Sequence, residues 1–253
     1  MEKRFQGEVA LVTGAGSGLG RASAITFARE GARVVVGDVD VQSGQQTVKM
    51  IEEAGGQALF VKVDVTKEME VKALIDKAVE TYGGLHCAHN NVGMEYFIPL
   101  IECTEADWDH FMDLNLKSVW LCMKYEIKHM IKHGGGAIVN SSSIAGLVGA
   151  ANSLTYVTSK HGVNGLTKVA AAEYGKMGIR VNAVCPIGME GTGMHERIMA
   201  KASEFAGKVL EWVPLGRTSQ VQEVAEVVVW LCSKSASFVT ALPMPVDGGF
   251  TSL

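Results

Sequence analysis

"VALVTGAGSGLGRASAITFARE", residues 9–30, joins an apolar run to a helix-forming run through a turn rich in glycine. "VALVT" has the β-branched and apolar residues of a buried strand. Gly14, Gly18 and Gly20 lie in the turn, where residues without a side chain let the backbone approach a bound group closely. The helix that follows offers free N–H groups at its N-terminus, which favour a pyrophosphate. The stretch therefore predicts a strand–turn–helix unit for a dinucleotide, although its G-x-x-x-G-x-G spacing is longer than the G-x-G-x-x-G fingerprint.

The same alternation of strand and helix continues along the 253 residues. Six further runs predict strands, namely "RVVVGD", "ALFVKVD", "LHCAHNN", "AIVNSSS", "IRVNAV" and "ALPMPVDGG". Their near-continuous apolar character suits strands that are covered on both faces. Helical runs lie between them, and several end at a glycine, as helices often do. The pattern predicts an α/β fold, a single Rossmann-type doubly wound domain over residues 1–253 with a seven-stranded parallel sheet flanked by helices.

Charge and composition argue against several classes of partner. The net charge of -4 and the pI near 6.0 give no reason to expect a nucleic acid or an anionic membrane. No apolar run reaches the roughly 18 residues of a membrane span, and no signal-peptide core precedes the first strand. The five cysteines show no C-x-x-C spacing, which favours reduced thiols and a cytoplasmic protein.

Two carboxylates follow predicted strands at the edge where a doubly wound sheet binds its ligands. Asp38 ends the second strand, a little under 20 residues after the last glycine of the turn. A carboxylate there can accept both hydroxyls of an adenosine ribose, and it would repel a 2′-phosphate. Asp64 ends the third strand, where it can meet the adenine amino group. Each aspartate could instead cap the helix that follows it.

A tyrosine and a lysine stand four residues apart in "YVTSK", at Tyr156 and Lys160. On a helix these positions share one face. An isolated tyrosine has a pKa of about 10, and lowering it to near 8 takes ~2.7 kcal/mol of preference for the phenolate. An ammonium about 4 Å away contributes at most ~4 kcal/mol at an effective dielectric of 20. The electrostatic effect of Lys160 is therefore large enough to lower the pKa of Tyr156 into the range where it can act as an acid and a base.

Seven motifs together resemble the classical short-chain dehydrogenase/reductase family over essentially the whole chain. In order they are "TGAGSGLG", "HNNVG", "NLKSVW", "IVNSSSIAG", "YVTSK", "IRVNAVCP" and "VDGGF". The resemblance implies a sheet of order 3-2-1-4-5-6-7, an NAD(P) cofactor and hydride exchange between an alcohol and a carbonyl. It also implies a homotetramer, because tetramers are common in the family.

The resemblance implies a catalytic set of Asn115, Ser143, Tyr156 and Lys160. Tyr156 would exchange the proton, Ser143 would hold the substrate oxygen, and Lys160 would hold the nicotinamide ribose. Asn115, at an interrupted helix, would hold a water that passes protons from Lys160 to solvent. Ser143 is preferred to the two serines before it because it stands thirteen residues before the tyrosine, as in the family.

Further cofactor contacts are implied along the chain. With Tyr156 and Lys160 they comprise Gly14, Ser17, Gly18, Leu19, Gly20, Asp38, Asp64, Val65, Asn91, Gly93, Pro186, Ile187, Gly188 and Thr192. The chain departs from the family at Val92 and Ala241, where alanine and glycine are usual, and we expect simple repacking there. It also departs at Ile187, which stands where the family has the glycine of a Pro-Gly pair, so the contacts of Ile187 and Thr192 shift by about one residue.

The cofactor is predicted to be NAD rather than NADP. Asp38 faces the position of a 2′-phosphate, Val39 follows it, and Ser17 occupies a turn position that is often basic in NADP-binding relatives. Arg33 is the only nearby cation in the sequence, and we expect it to point elsewhere.

The substrate pocket is expected to be apolar. Segments 93–99, 145–155 and 186–213 follow strands, and a lid is expected at about 186–217. Around Ser143, their lining side chains include Met94, Tyr96, Leu154, Met189 and Met194. Glu95, Glu190 and His195 interrupt this lining, and we expect them to point to solvent. Residues 186–196 contain no arginine that could hold a phosphate or carboxylate. A neutral cyclic or aryl secondary alcohol, or its ketone, is therefore the predicted substrate.

Three alternatives stay open. Within enzymes, the main one is an NADPH-dependent 3-oxoacyl reductase. From another class, the chain could be a dinucleotide-sensing binding protein without catalysis, which the four catalytic residues oppose. His129 and His133 are four residues apart and could bind a metal, but lysines on the same helix suggest a cationic helix end instead, so we expect no metal.

Overall fold

A parallel sheet of seven strands forms the centre of the molecule. The structure is a computed structural model that describes residues 3–193, 196 and 211–252. The strands are β1 (Val9–Thr13), β2 (Arg33–Asp38), β3 (Gln57–Lys62), β4 (Cys87–Asn90), β5 (Gly136–Ser141), β6 (Ile179–Pro186) and β9 (Pro243–Val246). Their order is β3-β2-β1-β4-β5-β6-β9, and every neighbouring pair is parallel. The predicted fold and strand order are confirmed.

Helices cover both faces of the sheet, as the apolar strands require. They are α1 (Gly18–Arg29), α2 (Val41–Glu53), α3 (Glu68–Tyr82), α4 (Glu105–Met112), α5 (Ser118–Met130), α6 (Leu154–Tyr174) and α7 (Val221–Cys232). One apolar core joins the sheet to α1, α2 and α7, and a second joins it to α3, α5 and α6. Among the described residues, no helix has the length and apolar character to cross a membrane.

The direction of winding reverses between β1 and β4. The chain proceeds from β1 outward to β2 and β3, then returns to place β4 on the other side of β1. At such a switch point the connections beyond the carboxyl ends of the two strands diverge and leave a crevice for a ligand. The glycine-rich turn after β1 and residues 91–93 after β4 therefore border the same opening.

Ala241 shows why the family favours glycine at this position. Its φ is +62°, in the left-handed region where a side chain crowds the backbone. The expectation of simple repacking at Ala241 was wrong, because the replacement strains the main chain by about 1–2 kcal/mol.

The two central strands bury polar side chains as well as apolar ones. Asn90 and Asn140 are partners across β4 and β5, and Asn90 Nδ2 donates to Asn140 Oδ1 at 3.1 Å. Asn90 Nδ2 also donates to Glu126 Oε2 at 3.0 Å, from α5. Glu126 is fully buried, and this burial raises the pKa of its carboxyl from 4.5 to about 8. Glu126 is therefore uncharged at neutral pH.

A neutral Glu126 explains two atoms that otherwise lack partners. Asn90 Oδ1 and Glu126 Oε1 are both buried without a hydrogen bond. A proton turns the Glu126 carboxyl into a donor as well as an acceptor, so the acid can pair with the Asn90 amide in both directions. Because an unsatisfied buried polar atom costs about 1–3 kcal/mol, this pairing favours the acid form further.

We predict that Glu126→Gln removes most of a pH-dependent loss of stability. The folded pKa of about 8 lies above the ordinary 4.5, so the stabilisation of the acid form is complete below pH 4.5 and is lost as the pH rises toward 8. Glutamine donates and accepts in the same places without titrating. The variant should match the wild type near pH 4.5 and exceed its free energy of unfolding by about 2–4 kcal/mol at pH 7.5.

Denaturant unfolding at the two pH values measures this difference. Glu102→Gln removes the same charge from an exposed position and serves as the control. An equal effect of Glu126→Gln at both pH values would mean that Glu126 is ionised in the folded protein.

Candidate active site

A cleft of about 680 Å³ lies at the switch point between β1 and β4. Its lining combines the turn after β1, the ends of β2 and β3, and residues 91–93 after β4. Of the expected cofactor contacts it includes Gly14, Ser17, Gly18, Leu19, Asp38, Asp64, Val65, Asn91, Gly93 and Thr192. Gly20 lies just beneath it, since a Cβ there would stand 2.1 Å from the carbonyl oxygen of Gly14. The turn is thus closed tightly enough that only glycine fits at position 20.

Asp38 is held at the floor of the cleft by two main-chain donors. Its Oδ2 accepts from the N–H of Gly16 at 2.7 Å, and its Oδ1 accepts from the N–H of Asp40 at 2.9 Å. A Cβ on residue 16 would stand 2.8 Å from Asp38 Oδ2, so Gly16 is needed for this approach. Helix α2 is capped by Asp40, whose side chain accepts from the N–H of Ser43. Asp38 is therefore not the helix cap.

Arg21 is a nearby cation that was not recognised from the sequence. Its guanidinium donates to Thr47 Oγ1 at 3.0 Å and to the carbonyl oxygen of Gly16, next to Asp38. Arg33 does point elsewhere, since it donates to the carbonyl oxygen of Gly7 at 2.9 Å. The expectation that Arg33 is the only nearby cation was wrong, because helix α1 brings Arg21 beneath the turn. Arg21 is committed to protein acceptors there.

Asp64 lies two residues beyond the end of β3 and not at its last residue. Its Oδ1 accepts from the N–H of Thr66 at 3.0 Å and from Thr66 Oγ1 at 2.7 Å. These bonds form a local turn, while helix α3 begins only after Lys67. Asp64 and Val65 both border the cleft on the side away from the catalytic set.

Tyr156, Lys160, Ser143 and Asn115 are all buried and lie together. Tyr156 and Lys160 share a face of α6, with Lys160 Nζ 5.5 Å from the centre of the phenol ring. Ser143 follows β5, and its hydroxyl lies close enough to Tyr156 to lower the pKa of the phenol. Lys160 Nζ donates to the carbonyl oxygen of Ser141 at 2.7 Å. Gly93 connects this cluster to the cleft, because a Cβ there would stand 3.1 Å from Lys160 Nζ.

Burial dominates the titration of this pair. It raises the pKa of Tyr156 above its ordinary value, with the charge of Glu95 adding to the effect and the Ser143 hydrogen bond opposing it. Burial also lowers the pKa of Lys160 to about 8. From the sequence, Lys160 was expected to lower the pKa of Tyr156. That expectation was wrong for the bare protein, because it omitted the loss of hydration at the phenol and the negative charge of Glu95.

Asn115 lies in a five-residue π-helical turn (Asp113–Lys117) between α4 and α5, as the interrupted helix predicted. Its side chain makes two hydrogen bonds to the main chain of a neighbouring loop. Asn115 Oδ1 accepts from the N–H of Met94 at 2.7 Å, and Nδ2 donates to the carbonyl oxygen of Met94 at 2.8 Å. One lone pair and one N–H of the amide stay available for a water.

The residues that were predicted to line the substrate pocket differ in their exposure and in their contacts. Met94 is exposed, and Tyr96 stacks on Phe111 with ring centres 4.4 Å apart. Leu154 begins α6 and is half-buried, and Met189 borders the cofactor cleft. Glu95 is half-buried, and its charge raises the pKa of Tyr156, so it does not point wholly to solvent as expected. Met194 and His195 lie outside the described residues.

The base of the expected lid is a short parallel ladder of β7 (Met189–Glu190) and β8 (Ser219–Gln220). Glu190 is exposed, yet its carboxylate accepts from Thr218 Oγ1 and Gln220 Nε2, both at 2.6 Å. Thr192 leaves this ladder over the glycine-rich turn, where a Cβ on Gly18 would stand 3.3 Å from Thr192 Cγ2. Ile187 is buried, and the carbonyl oxygen of Gly188 accepts from the N–H of Ser219 at 3.3 Å.

These features fit a dinucleotide. A turn rich in glycine provides the approach for a pyrophosphate, and Thr192 overhangs it. Asp38 presents a positioned carboxylate where a ribose would lie. The catalytic cluster adjoins the far end of the same cleft through Gly93.

Comparisons with known proteins agree with this site. A family model described as enoyl-(acyl carrier protein) reductase matches residues 14–251. The cyclohexanol dehydrogenase of Acinetobacter sp. (strain SE19) is 42% identical over 100% of this chain and 98% of its own length. The cis-4-hydroxycyclohexanecarboxylate dehydrogenase of Sinomonas cyclohexanicum is 41% identical over 100% of both chains. The crystal structure of levodione reductase superposes with a TM-score of 0.95 at 35% identity, over 98% of this chain and 99% of that one.

The parallel sheet, the glycine-rich cleft, the Tyr156–Lys160 cluster and these full-length relatives all lead to one assignment. The chain belongs to the short-chain dehydrogenase/reductase family of oxidoreductases, which use nicotinamide dinucleotide cofactors.

Proposed function

We propose that the protein is an NAD-dependent dehydrogenase of neutral cyclic secondary alcohols and a reductase of the corresponding ketones. The observation that carries this proposal is the buried cluster of Tyr156, Ser143 and Lys160 at the end of a dinucleotide-shaped cleft. A dinucleotide-sensing protein without catalysis would not need to bury a lysine beside a tyrosine, because burial disfavours the lysine charge.

A bound nicotinamide dinucleotide would supply the hydride acceptor for oxidation of the alcohol and the hydride donor for reduction of the ketone. Tyr156 gives its proton to the ketone oxygen or takes the proton of the alcohol. Burial favours the protonated form of Tyr156, which is the form that gives a proton to a ketone. Ser143 holds the same substrate oxygen, and Lys160 biases Tyr156 toward phenolate when it is charged. Asn115 keeps the loop at Met94 in place beside them.

The neutral cyclic substrate follows from the side chains near Tyr156. Met94, Tyr96, Leu154 and Met189 are large and uncharged, and Glu95 places a negative charge near Tyr156 that would repel a carboxylated or phosphorylated substrate. We propose residues 186–217 as the lid over this pocket. The relative named for cyclohexanol supports this substrate class. The relative named for cis-4-hydroxycyclohexanecarboxylate supports the six-membered ring but not the absence of charge. The acyl-carrier substrate of a 3-oxoacyl reductase is less consistent with Glu95.

We further propose that the protein is a cytoplasmic homotetramer formed by a single domain. An apolar groove runs between the π-helical turn and α6, lined by Leu116, Trp120, Leu166 and Val169, and it would be covered by a second copy. The five cysteines are free thiols, and four of them are buried, which suits a reducing compartment.

Tyr156→Phe should bind NAD as the wild type does and lower kcat by about 10²- to 10⁴-fold, because the proton donor is lost. Lys160→Ala should lower kcat and weaken NAD binding as well, because it has two roles. Steady-state rates with cyclohexanol and a binding titration measure these effects. Tyr82→Phe, at the C-terminal end of α3, is the matched control. Turnover of Tyr156→Phe within about tenfold of the wild type would refute the assignment.

NAD should be preferred to NADP by at least about tenfold in kcat/KM, which corresponds to ~1.4 kcal/mol. The reason is repulsion between the Asp38 carboxylate and a 2′-phosphate. Asp38→Asn should reduce the preference for NAD over NADP, because it removes the charge that repels the 2′-phosphate of NADP. Asp40→Asn, two residues away, should leave this preference unchanged. Equal efficiency with both cofactors in the wild type would mean that Asp38 does not face the ribose.

The kcat/KM for a cyclohexanol-type alcohol should be about tenfold or more higher than that for its ring-carboxylated analogue, because the substrate carboxylate is repelled by Glu95. Glu95→Gln should raise activity toward the carboxylated alcohol while changing that toward cyclohexanol little. The exposed Glu102→Gln controls for net charge. The relative named for cis-4-hydroxycyclohexanecarboxylate makes this comparison decisive. A clear preference of the wild type for the carboxylated alcohol would overturn this substrate class.

A further inference from the structure

His89 lies at the centre of β4 and is fully buried beneath the cleft. Its Nε2 stands 2.9 Å from Ser141 Oγ, at the end of the neighbouring strand β5. Ser141 Oγ in turn donates to Asn91 Oδ1 at 3.1 Å. Asn91 Nδ2 then donates to the carbonyl oxygen of Gly14 at 3.3 Å. A chain of side chains thus leads from the middle of the sheet to the glycine-rich turn.

The direction of each proton in this chain is determined. Because Asn91 directs its N–H group at Gly14, its oxygen faces Ser141 and can only accept. The single proton of Ser141 goes to that oxygen, so Ser141 Oγ must accept from His89. His89 therefore carries its proton on Nε2, and its Nδ1 is an acceptor. Nδ1 is buried without any hydrogen-bond partner.

Ser141 connects this chain to the catalytic lysine. Its carbonyl oxygen accepts from Lys160 Nζ at 2.7 Å, on the opposite face of the sheet from His89. Asn91 meanwhile lies tightly over the turn, where a Cβ on Gly20 would stand 2.7 Å from Asn91 Nδ2. One serine thus fixes an amide of the cofactor cleft through its side chain and holds Lys160 through its main chain.

Packing alone does not account for a histidine at this position. An apolar ring of similar size would fill the space without leaving a buried nitrogen unsatisfied, a defect that costs about 1–3 kcal/mol. Burial also lowers the pKa of His89 to about 3, so the ring is neutral and acts as a hydrogen-bond donor rather than as a charge. The donor at Nε2 is the feature that a phenyl ring could not supply.

We propose that His89 is a positioning residue, which through Ser141 orients Asn91 against the glycine-rich turn and holds the carbonyl that receives Lys160. This inference rests on the proposed dinucleotide-dependent function of the same cleft. Without the His89 donor, Ser141 Oγ loses the bond that directs its proton toward Asn91, and the Asn91 amide is then held less firmly, mainly by its bond to the Gly14 carbonyl oxygen. The cofactor cleft would then be less well formed before the dinucleotide arrives.

The test compares three variants by the Kd for NAD(H), measured by fluorescence titration, and by kcat and KM. His89→Phe keeps the bulk and removes the donor, and it should raise the Kd for NADH about tenfold and lower kcat, with little change in the substrate KM. His89→Gln places an amide donor near the Nε2 position and should restore most of the binding. Ser141→Ala should reproduce His89→Phe, and the double variant should be no worse than either single one.

Cys87→Ala is the structural control, because Cys87 lies two residues earlier on the same face of β4. It should lower thermal stability without changing the Kd. If His89→Phe lowers only thermal stability and leaves the Kd unchanged, the proposal is wrong. If the wild type itself neither binds NAD(H) nor turns over an alcohol, the proposed function fails instead.

Nitrogen-15 NMR of the histidine rings gives a readout independent of the cofactor. His89 should show the Nε2–H tautomer and should not titrate between pH 5 and 8. Ser141→Ala should alter this signal. A His89 signal in the Nδ1–H form, or one that becomes cationic in this range, would contradict the proton assignment and with it the proposal.

Discussion

The hydrogen bond from the buried ammonium of Lys160 to the carbonyl oxygen of Ser141 is the contact on which the site depends. Burial lowers the pKa of Lys160 to about 8, and the carbonyl oxygen that faces the ammonium favours its charged form. The contact joins α6 to the carboxyl end of β5. Tyr156, one turn earlier on α6, is thereby set beside Ser143, two residues beyond Ser141.

The central strands β4 and β5 support this contact from both faces. On one face, His89, Ser141 and Asn91 lead to the glycine-rich turn. On the other, Asn90, Asn140 and Glu126 form a buried polar network among apolar side chains. Such networks are costly unless every member is satisfied, and they tolerate only one strand register. The register that satisfies them also places the cofactor cleft beside the catalytic cluster.

The alternation of strands and helices was predictable from the sequence because buried parallel strands need apolar runs. The glycine-rich turn at Gly14–Gly20, placed between a strand and a helix, predicted the dinucleotide site. Asp38 and the Tyr156–Lys160 pair were likewise recognisable from their positions. The effects that raise the pKa of Tyr156 were not recognisable from the sequence, since they arise from burial and from Glu95, which only the tertiary fold brings near. Arg21 and His89 were missed for the same reason: their partners lie far away in the chain.

Transfer of isotope tests the central claim most directly. Cyclohexanol deuterated at the carbinol carbon should pass its deuterium to NAD, and mass spectrometry of the recovered cofactor should find one deuterium per turnover. The transfer should depend on Tyr156. Oxidation of the alcohol without deuterium in the cofactor, or no oxidation of any cyclic alcohol by a protein that binds NAD, would contradict the account.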